Sequence, residues 1–334
     1  MHTASFYHTA PDGVLQCDLC RHYCRIRPGR SGLCRVRKNI DGRLVTLTYG
    51  RALSQSADPV EKKPLYHFMP GTATWSFGMA GCNFTCANCQ NWQISQALPD
   101  KEVAPIIPPE EIVQNAIQAG CPSISCTYTE PTIFAEYALD VMKLAKESGL
   151  KTIWVSNGYL SPLCLDTIQP WLDAINVDLK SMDDAFYRRL CGARLAPVLD
   201  SLRQIRKSGI HLEITTLVIP GHSDDPAMLE NLADFIADEL GSETPWHLIP
   251  FYPEISWKMH ETPATEPSAL ETAWQIGRNA GLQHVYSASH NDTLCTHCGA
   301  TLVARERQFI GANVERFDAG GRCPSCNQPS PVKN

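Results

Sequence analysis

The sequence predicts an α/β protein built on a mainly parallel sheet with helices outside it. Between about residues 74 and 287, strand-like and helix-like segments alternate, and this alternation builds parallel sheets covered by helices. Several strand segments are nearly continuous runs of apolar or β-branched residues, as strands buried on both faces require. Of the 334 residues, 43% are hydrophobic, which is enough for a large core.

Seven strands and four helices are predicted in this part of the chain. The strands are expected at 74–79, 123–128, 152–156, 174–179, 212–219, 246–251 and 284–286. One helix is predicted to begin at Pro108, where prolines and acids occupy a first turn, and the others at 133–147, 228–240 and 268–280. Six or seven β/α units are too few for a complete eight-unit barrel, so an incomplete one is expected. Its active residues should lie at the carboxyl ends of the strands.

The cysteines divide the chain into three predicted regions. Residues 1–55 form a Cys- and Arg-rich metal-binding module, 56–289 the core, and 290–334 a four-cysteine module like a zinc ribbon. Eleven of the fifteen cysteines cluster at 17–34, 82–89 and 295–326, which is typical of metal binding rather than disulfides in a cytosolic chain. The other four are predicted to be small buried residues: Cys121, Cys126, Cys164 and Cys191.

Composition also restricts where the protein works. The net charge of −6 does not indicate nucleic-acid binding, although a local basic patch stays open. The first residues lack the apolar core of a signal peptide, and no window approaches the ~20 apolar residues of a membrane span. We expect a cytoplasmic protein that has no membrane partner. Nucleic acid is a disfavoured partner.

Two of the cysteine clusters have the four thiolates of a closed metal site. Two Cys-x2-Cys pairs near the C-terminus predict a structural metal, zinc rather than iron: Cys295, Cys298, Cys323 and Cys326. The N-terminal set leaves zinc and an iron–sulfur cluster open, with zinc slightly preferred: Cys17, Cys20, Cys24 and Cys34. The arginines around it are interpreted as offsetting thiolate charge, the alternative being a patch for a phosphate-bearing partner such as RNA.

The third cluster has only three cysteines. Cys82, Cys86 and Cys89 lie in one loop with x3 and x2 spacing. Three thiolates can hold three irons of a 4Fe–4S cluster, and no fourth cysteine lies nearby in sequence. One iron is then open, which marks a reactive metal site. The alternative is a zinc knuckle with a distant fourth ligand.

This spacing resembles the cluster motif of the radical S-adenosylmethionine (SAM) superfamily. In that family, the open iron chelates the methionine amino and carboxylate groups of SAM. One electron from the cluster then breaks the S–C5′ bond and releases a 5′-deoxyadenosyl radical. The resemblance implies a partial (β/α)6 radical SAM barrel and, as cofactors, a 4Fe–4S cluster and SAM. It also implies an electron donor such as flavodoxin or ferredoxin.

The same resemblance suggests residues that bind SAM. The run Thr129-Glu130-Pro131 matches the second half of a Gly-Gly-Glu-Pro-like segment that binds the SAM amino group, with Tyr128 and Thr129 in place of the glycines. A strand end with a helix N-cap explains this run too. Asn157 follows the third strand, which in the family lies beside the SAM ribose and methionine. Many members have an aromatic residue just before the third cysteine, near the adenine. Here Asn88 occupies that position, so an aromatic contact is expected from elsewhere, Trp92 or Phe84.

Two further strand ends supply candidate catalytic residues. Asp178 and Lys180 face the same way at period two, so they are candidates for binding substrate or the SAM carboxylate, or else form a rim salt bridge. His247 in the sixth strand is a candidate proton donor or adenine-side contact, against the alternative of a satisfied core histidine. With Glu130, these are the predicted catalytic residues.

A narrower resemblance extends over nearly the whole chain. The segments 58–71 and 89–96 resemble the radical SAM enzyme of the AmmeMemoRadiSam system, a group related to pyruvate formate-lyase activating enzymes. It implies Memo-type and AmmeCR-type partner proteins. The predicted function is hydrogen abstraction from an unidentified substrate. The alternatives are activation of a glycyl-radical enzyme, disfavoured because no extra cluster cysteines follow the first β/α unit, and a non-catalytic metal-binding adaptor.

Overall fold

The computed structural model describes residues 2–99, 104–306, 308 and 321–333. An N-terminal module consists of two small antiparallel sheets, with strand orders β1-β6-β5 and β2-β3-β4. The strands are β1 (His2–Thr3), β2 (Tyr7–Thr9), β3 (Leu15–Cys17), β4 (Arg25–Ile26), β5 (Arg37–Ile40) and β6 (Arg43–Thr46). Of the four N-terminal cysteines, Cys17 ends β3, Cys20 and Cys24 lie between β3 and β4, and Cys34 lies between β4 and β5.

A central sheet of eight strands follows, arranged in chain order. Its strands are β7 (Ala52–Pro59), β8 (Ala73–Met79), β9 (Ser123–Cys126), β10 (Lys151–Ser156), β11 (Ala174–Asp178), β12 (His211–Val218), β13 (Trp246–Pro250) and β14 (Val285–Tyr286). Strands β8 to β14 are mutually parallel, and β7 pairs antiparallel with β8 at one edge. All seven predicted strands are therefore confirmed, and β7 crosses the predicted boundary at residue 55.

Helices connect the parallel strands. They are α1 (Trp92–Ser95), α2 (Pro109–Gln118), α3 (Ala135–Glu147), α4 (Pro162–Ile168), α5 (Asp184–Phe186), α6 (Leu195–Ser208), α7 (Pro226–Phe235) and α8 (Pro267–Asn279). Local sequence fixes several starts: the Ser161 and Asp225 side chains accept hydrogen bonds from backbone N–H groups of the first turns of α4 and α7, which stabilises helix N-termini. Helix α5 continues as a π-helical turn, Tyr187–Cys191.

The sheet curves around the segment 60–68, which fills its interior near the amino ends of the strands. Val60, Leu65 and Phe68 pack on Ile153 of β10 and Ala174 of β11. The backbone N–H groups of Tyr66 and His67 donate to the carboxylate of Glu213 in β12, at 2.9 and 2.8 Å. Since side chains of successive strands meet this one segment, the sheet forms the expected partial barrel.

A C-terminal module closes the same end of the barrel. It contains the hairpin β15 (Thr293–Leu294) and β16 (Thr301–Val303). Lys333 pairs with the backbone beside Phe68: its N–H donates to the His67 carbonyl, and its carbonyl accepts from the Met69 N–H, both at 2.6 Å.

No helix in the described ranges is long and apolar enough to cross a membrane.

Candidate active site at the carboxyl edge of the sheet

The three-cysteine loop leaves the carboxyl end of β8, where the barrel argument places active residues. Its first residue, Gly81, has φ +93°. A Cβ there would lie 2.9 Å from the Cys34 carbonyl oxygen and 2.6 Å from Val36 Cγ1. Only glycine combines this backbone conformation with such close packing, so Gly81 seats the loop against the N-terminal module.

The π-helical turn holds the other side of the loop. The N–H groups of Thr85 and Ala87 donate to the carbonyls of Cys191 and Leu190, at 3.0 and 2.8 Å. Phe84 is only 1% exposed and packs edge-on against Tyr159 and Tyr187. Phe84 is therefore a packing anchor and is not free to stack on adenine, whereas Trp92 is 37% exposed.

The three thiols differ in their surroundings. Cys86 is buried, and Cys82 and Cys89 are partly buried. Burial raises the pKa of the Cys82 and Cys89 thiols, and the nearby Glu130 adds to the effect at Cys82. A hydrogen bond from the Cys191 thiol lowers the pKa of Cys86.

Cys191 was expected to be one of four scattered cysteines. It is buried as predicted, but the fold brings its thiol against Cys86, which sequence separation concealed. Hydrogen bonds to ligating sulfurs help to set the potential of an iron–sulfur cluster.

The donor set fits an iron–sulfur cluster with an open iron. Three thiols lie on one loop, and two polar atoms of that loop, Asn83 Nδ2 and Asn88 Oδ1, are buried without a partner among the described residues. Unpartnered buried polar atoms call for a ligand or water. Asn88, which takes the position of the adenine-side aromatic residue and is a candidate cofactor contact, thus has an acceptor available at the site.

Glu130 is fully buried and its carboxylate is fully engaged. One oxygen accepts from Thr132 N at 3.0 Å and from the Thr132 and Ser156 hydroxyls at 2.5 and 2.9 Å. The other accepts from Asn157 N at 2.8 Å. Glu130 therefore caps the 3-10 turn Pro131–Phe134, as the N-cap alternative predicted, and it positions Asn157. Its contact with SAM stays a prediction.

Asn157 links this network to the cluster loop. Its Nδ2 donates to Asn83 Oδ1 at 2.7 Å and lies 4.0 Å from Cys82 Sγ. The Thr129 hydroxyl makes a different contact. It donates to the Met79 carbonyl at 2.8 Å and so links the end of β9 to the end of β8. Both residues border the loop, and their binding of cofactor stays a prediction.

Asp178 and Lys180 also lie beside the loop. Lys180 Nζ donates to Asp178 Oδ2 at 2.8 Å. Burial disfavours the charged lysine, but the negative charges of the Asp178 carboxylate and of Cys86 as a thiolate outweigh it and raise the Lys180 pKa well above its ordinary value. Lys180 is therefore a fixed cation next to the candidate cluster.

The structure does not bring His247 to this place. It is the second residue of β13, toward the amino ends of the strands, and it is fully buried. Its Nε2 lies 2.6 Å from Glu213 Oε2, and His211 contacts the other oxygen at 2.9 Å. Burial opposes ionisation of Glu213, yet the two histidines hold its pKa well below the usual range. This arrangement matches the alternative of a core histidine held through Nε2, while its Nδ1 is buried without a partner among the described residues.

Sequence reasoning missed a buried ion pair inside the barrel. Lys63 Nζ donates to Asp58 Oδ2 at 2.7 Å, and the Tyr128 hydroxyl donates to the same oxygen at 2.6 Å. Burial lowers the Lys63 pKa to about 8 despite Asp58. The segment 58–71 had been noted only as a family resemblance, and nothing in it showed that Tyr128 would reach Asp58.

The other cysteine clusters form two separate sites. In the C-terminal one, the sulfurs of Cys295 and Cys326, and of Cys298 and Cys323, lie 3.7 Å apart. Four thiolates at ~2.3 Å from one tetrahedral zinc stand about 3.8 Å apart, so this set fits a single ion, as predicted. The N-terminal set lines one cavity, and Arg37 beside it forms a buried bidentate pair with Glu136 at 2.9 and 2.8 Å.

Comparisons with known proteins agree with this geometry. Residues 77–236 match the family model of the Radical SAM superfamily. The chain is 39% identical over 334 residues to an uncharacterised protein of Methanocaldococcus jannaschii, covering 98% of each chain. It is 25% identical over 177 residues to the pyruvate formate-lyase 1-activating enzyme of Escherichia coli K12, 52% of this chain and 71% of that enzyme.

A solved structure shares the fold. Streptococcus suis SuiB bound to the precursor peptide SuiA aligns with a TM-score of 0.50 and 14% identity, over 68% of this chain and 51% of that one. Together, the matched domain, the relatives and the parallel sheet carrying the three-cysteine loop identify the class of protein. The chain belongs to the radical SAM superfamily.

Proposed function

We propose that this protein cleaves SAM reductively at a 4Fe–4S cluster and abstracts hydrogen from a substrate. The observation that carries the proposal is the loop of Cys82, Cys86 and Cys89 at the carboxyl edge of a parallel sheet, beside a fixed lysine. When bound, the cluster and SAM together supply a 5′-deoxyadenosyl radical. The protein's own residues hold, orient and shield these groups.

Each neighbouring side chain has a role in this proposal. The three thiolates hold three irons, and Asn157 orients the Cys82 side of the loop through Asn83. Lys180, held by Asp178, offers a cation to the SAM carboxylate. Asn88 Oδ1 offers an acceptor, and buried Phe84 keeps water from the rear of the loop.

The electron and the substrate come from outside the chain. A one-electron donor such as flavodoxin or ferredoxin is part of the proposal. We place the protein in the AmmeMemoRadiSam group, with Memo-type and AmmeCR-type partners, on the strength of the segment 58–71. The proposed substrate is an unidentified molecule that is not a glycyl-radical enzyme.

Glycyl-radical activation is the second candidate, because an activating enzyme of Escherichia coli is among the relatives. Incubation of reduced protein and SAM with glycyl-radical proteins of the same organism would separate the two. A stoichiometric glycyl doublet in electron paramagnetic resonance would establish activation.

The primary test is SAM cleavage after anaerobic reconstitution with iron and sulfide. The wild type should form 5′-deoxyadenosine, and Cys86→Ala should form none, because one of three iron ligands is gone. Cys121→Ala is the matched control, since Cys121 is a buried cysteine outside the three clusters, and it should cleave SAM like the wild type. Absence of cleavage by reconstituted wild-type protein would favour the non-catalytic adaptor.

A further inference from the structure

The four N-terminal cysteines surround one enclosed cavity. Cys17, Cys20, Cys24 and Cys34 all line it, and Arg37 also contributes to its wall. The remaining wall is mainly apolar, from side chains such as Ile26 and Ile133.

The spacing of the thiols distinguishes this site from the C-terminal one. The four C-terminal sulfur atoms lie within 4.8 Å of one another. In the described part of the chain, no other set of three or more cysteine, histidine or acidic side chains has its ligand atoms this close together. No three of the N-terminal thiols therefore lie within 4.8 Å of one another, whereas thiolates that share one tetrahedral ion stand about 3.8 Å apart. A cubane cluster binds each thiolate through a different iron and so spaces them more widely.

A buried cation at the cavity provides a second indication. Arg37 is 1% exposed, and its two Nη atoms bond Glu136. Its Nε is buried without a partner among the residues that the structure describes. A free N–H at a thiol-lined cavity suits an acceptor such as a cluster sulfide. The Leu33 N–H already donates to Cys24 Sγ at 3.5 Å.

We propose that Cys17, Cys20, Cys24 and Cys34 bind a second 4Fe–4S cluster, rather than the slightly preferred zinc. All four irons then have protein ligands, which makes it an electron-transfer site. Its wall adjoins the catalytic loop on both sides of Cys82: the Cys34 carbonyl packs on Gly81, and His22 Nε2 lies 2.8 Å from the Asn83 carbonyl oxygen.

This position defines an electron route, and this part rests on the proposed function. A flavodoxin- or ferredoxin-class donor reduces the N-terminal cluster by one electron. The same electron then passes to the catalytic cluster, and neither a proton nor a chemical group moves with it. The donor is reoxidised by one electron for each electron delivered.

Iron counting tests the second cluster independently of catalysis. The triple variant Cys82→Ala, Cys86→Ala, Cys89→Ala cannot hold the catalytic cluster, so it is inactive whichever metal the N-terminal site holds. After reconstitution it should still contain about four irons and four sulfides per chain, absorb near 400 nm, and give a cluster signal in electron paramagnetic resonance after reduction. If the reconstituted triple variant contains no iron, or if purified wild-type protein contains two zinc ions per chain, the proposal of a second cluster is wrong.

A further pair of substitutions locates the cluster and tests the route. Adding Cys17→Ser and Cys34→Ser to the triple variant should remove the remaining iron; if that chain does not fold, the triple variant's iron count still decides. In the otherwise wild-type chain, the same pair should lower flavodoxin-driven SAM cleavage at least tenfold relative to dithionite-driven cleavage. An unchanged ratio would overturn the relay.

Discussion

Individual residues around the cluster loop divide into those that build the site and those that remain available to a ligand. The hydrogen bonds of Glu130 and Thr129 described above are all to other protein groups, so the main effect of these two residues is to fix strand ends. Asn88 Oδ1 and the Lys180 ammonium are polar groups at the loop with capacity for a ligand. This division follows from contacts between residues far apart in sequence.

At this scale we predict that Lys180→Met weakens SAM binding. The lysine is a fixed cation beside Cys86, and a hydrogen bond to a charged group contributes about 1.5–3 kcal/mol, so the apparent affinity for SAM should fall roughly 10- to 100-fold. Equilibrium binding of SAM to the reconstituted protein measures this. Lys207→Met, on an exposed part of α6, is the control. Equal affinity of the Lys180 variant and the control would contradict the role of Lys180.

At the scale of elements, hydrophobic pattern located the sheet but not its surroundings. The seven parallel strands were predicted because several of them are almost continuous runs of apolar or β-branched residues, and because strand-like and helix-like segments alternate. Strand β7 was missed because its half-exposed sequence, ALSQSADP, has polar residues at half of its positions. The pairing of Cys86 with Cys191 and of Asp58 with Tyr128 could not be predicted, since each depends on how distant strand ends meet.

The connection between β8 and the cluster loop gives a prediction at this scale. Gly81→Ala should lower stability in two ways: a left-handed residue costs about 1–2 kcal/mol, and the Cβ overlaps the Cys34 backbone, which adds about 1–3 kcal/mol of overpacking. Chemical denaturation of the protein measures the sum. Gly120→Ala isolates the first cost, because Gly120 has φ +66° and nothing within 4 Å of its Cβ position. Equal losses in the two variants would show that the contact with Cys34 is unimportant.

At the scale of the whole molecule, two cysteine-rich modules pack against opposite ends of one barrel. The N-terminal module packs on the cluster loop through Gly81 and His22. The C-terminal module packs on the segment 60–68 at the other end, where the Arg305 Nη2 donates to the Tyr66 carbonyl at 2.8 Å. The two sites therefore affect different properties, the first the reactive edge of the sheet and the second the closure of the barrel.

This separation predicts that the C-terminal metal stabilises the fold without entering the chemistry. Cys323→Ser should release about one metal ion per chain, because a closed tetrathiolate site contributes folding energy. The thermal midpoint should fall, by roughly 2–4 °C for each kcal/mol lost. Loss of the ion should also loosen Lys333 from His67 and Met69, so hydrogen exchange at these amides should quicken.

The control is His297→Ala, which lies inside the Cys-x2-Cys turn but outside the set of four ligands. Its metal content and thermal midpoint should match the wild type. SAM cleavage per catalytic cluster should be unchanged in Cys323→Ser at temperatures where it stays folded, since the metal lies at the far end of the barrel. A Cys323→Ser chain that keeps its metal and melting temperature, or one that stays folded but loses cleavage, would contradict a purely structural role for the C-terminal site.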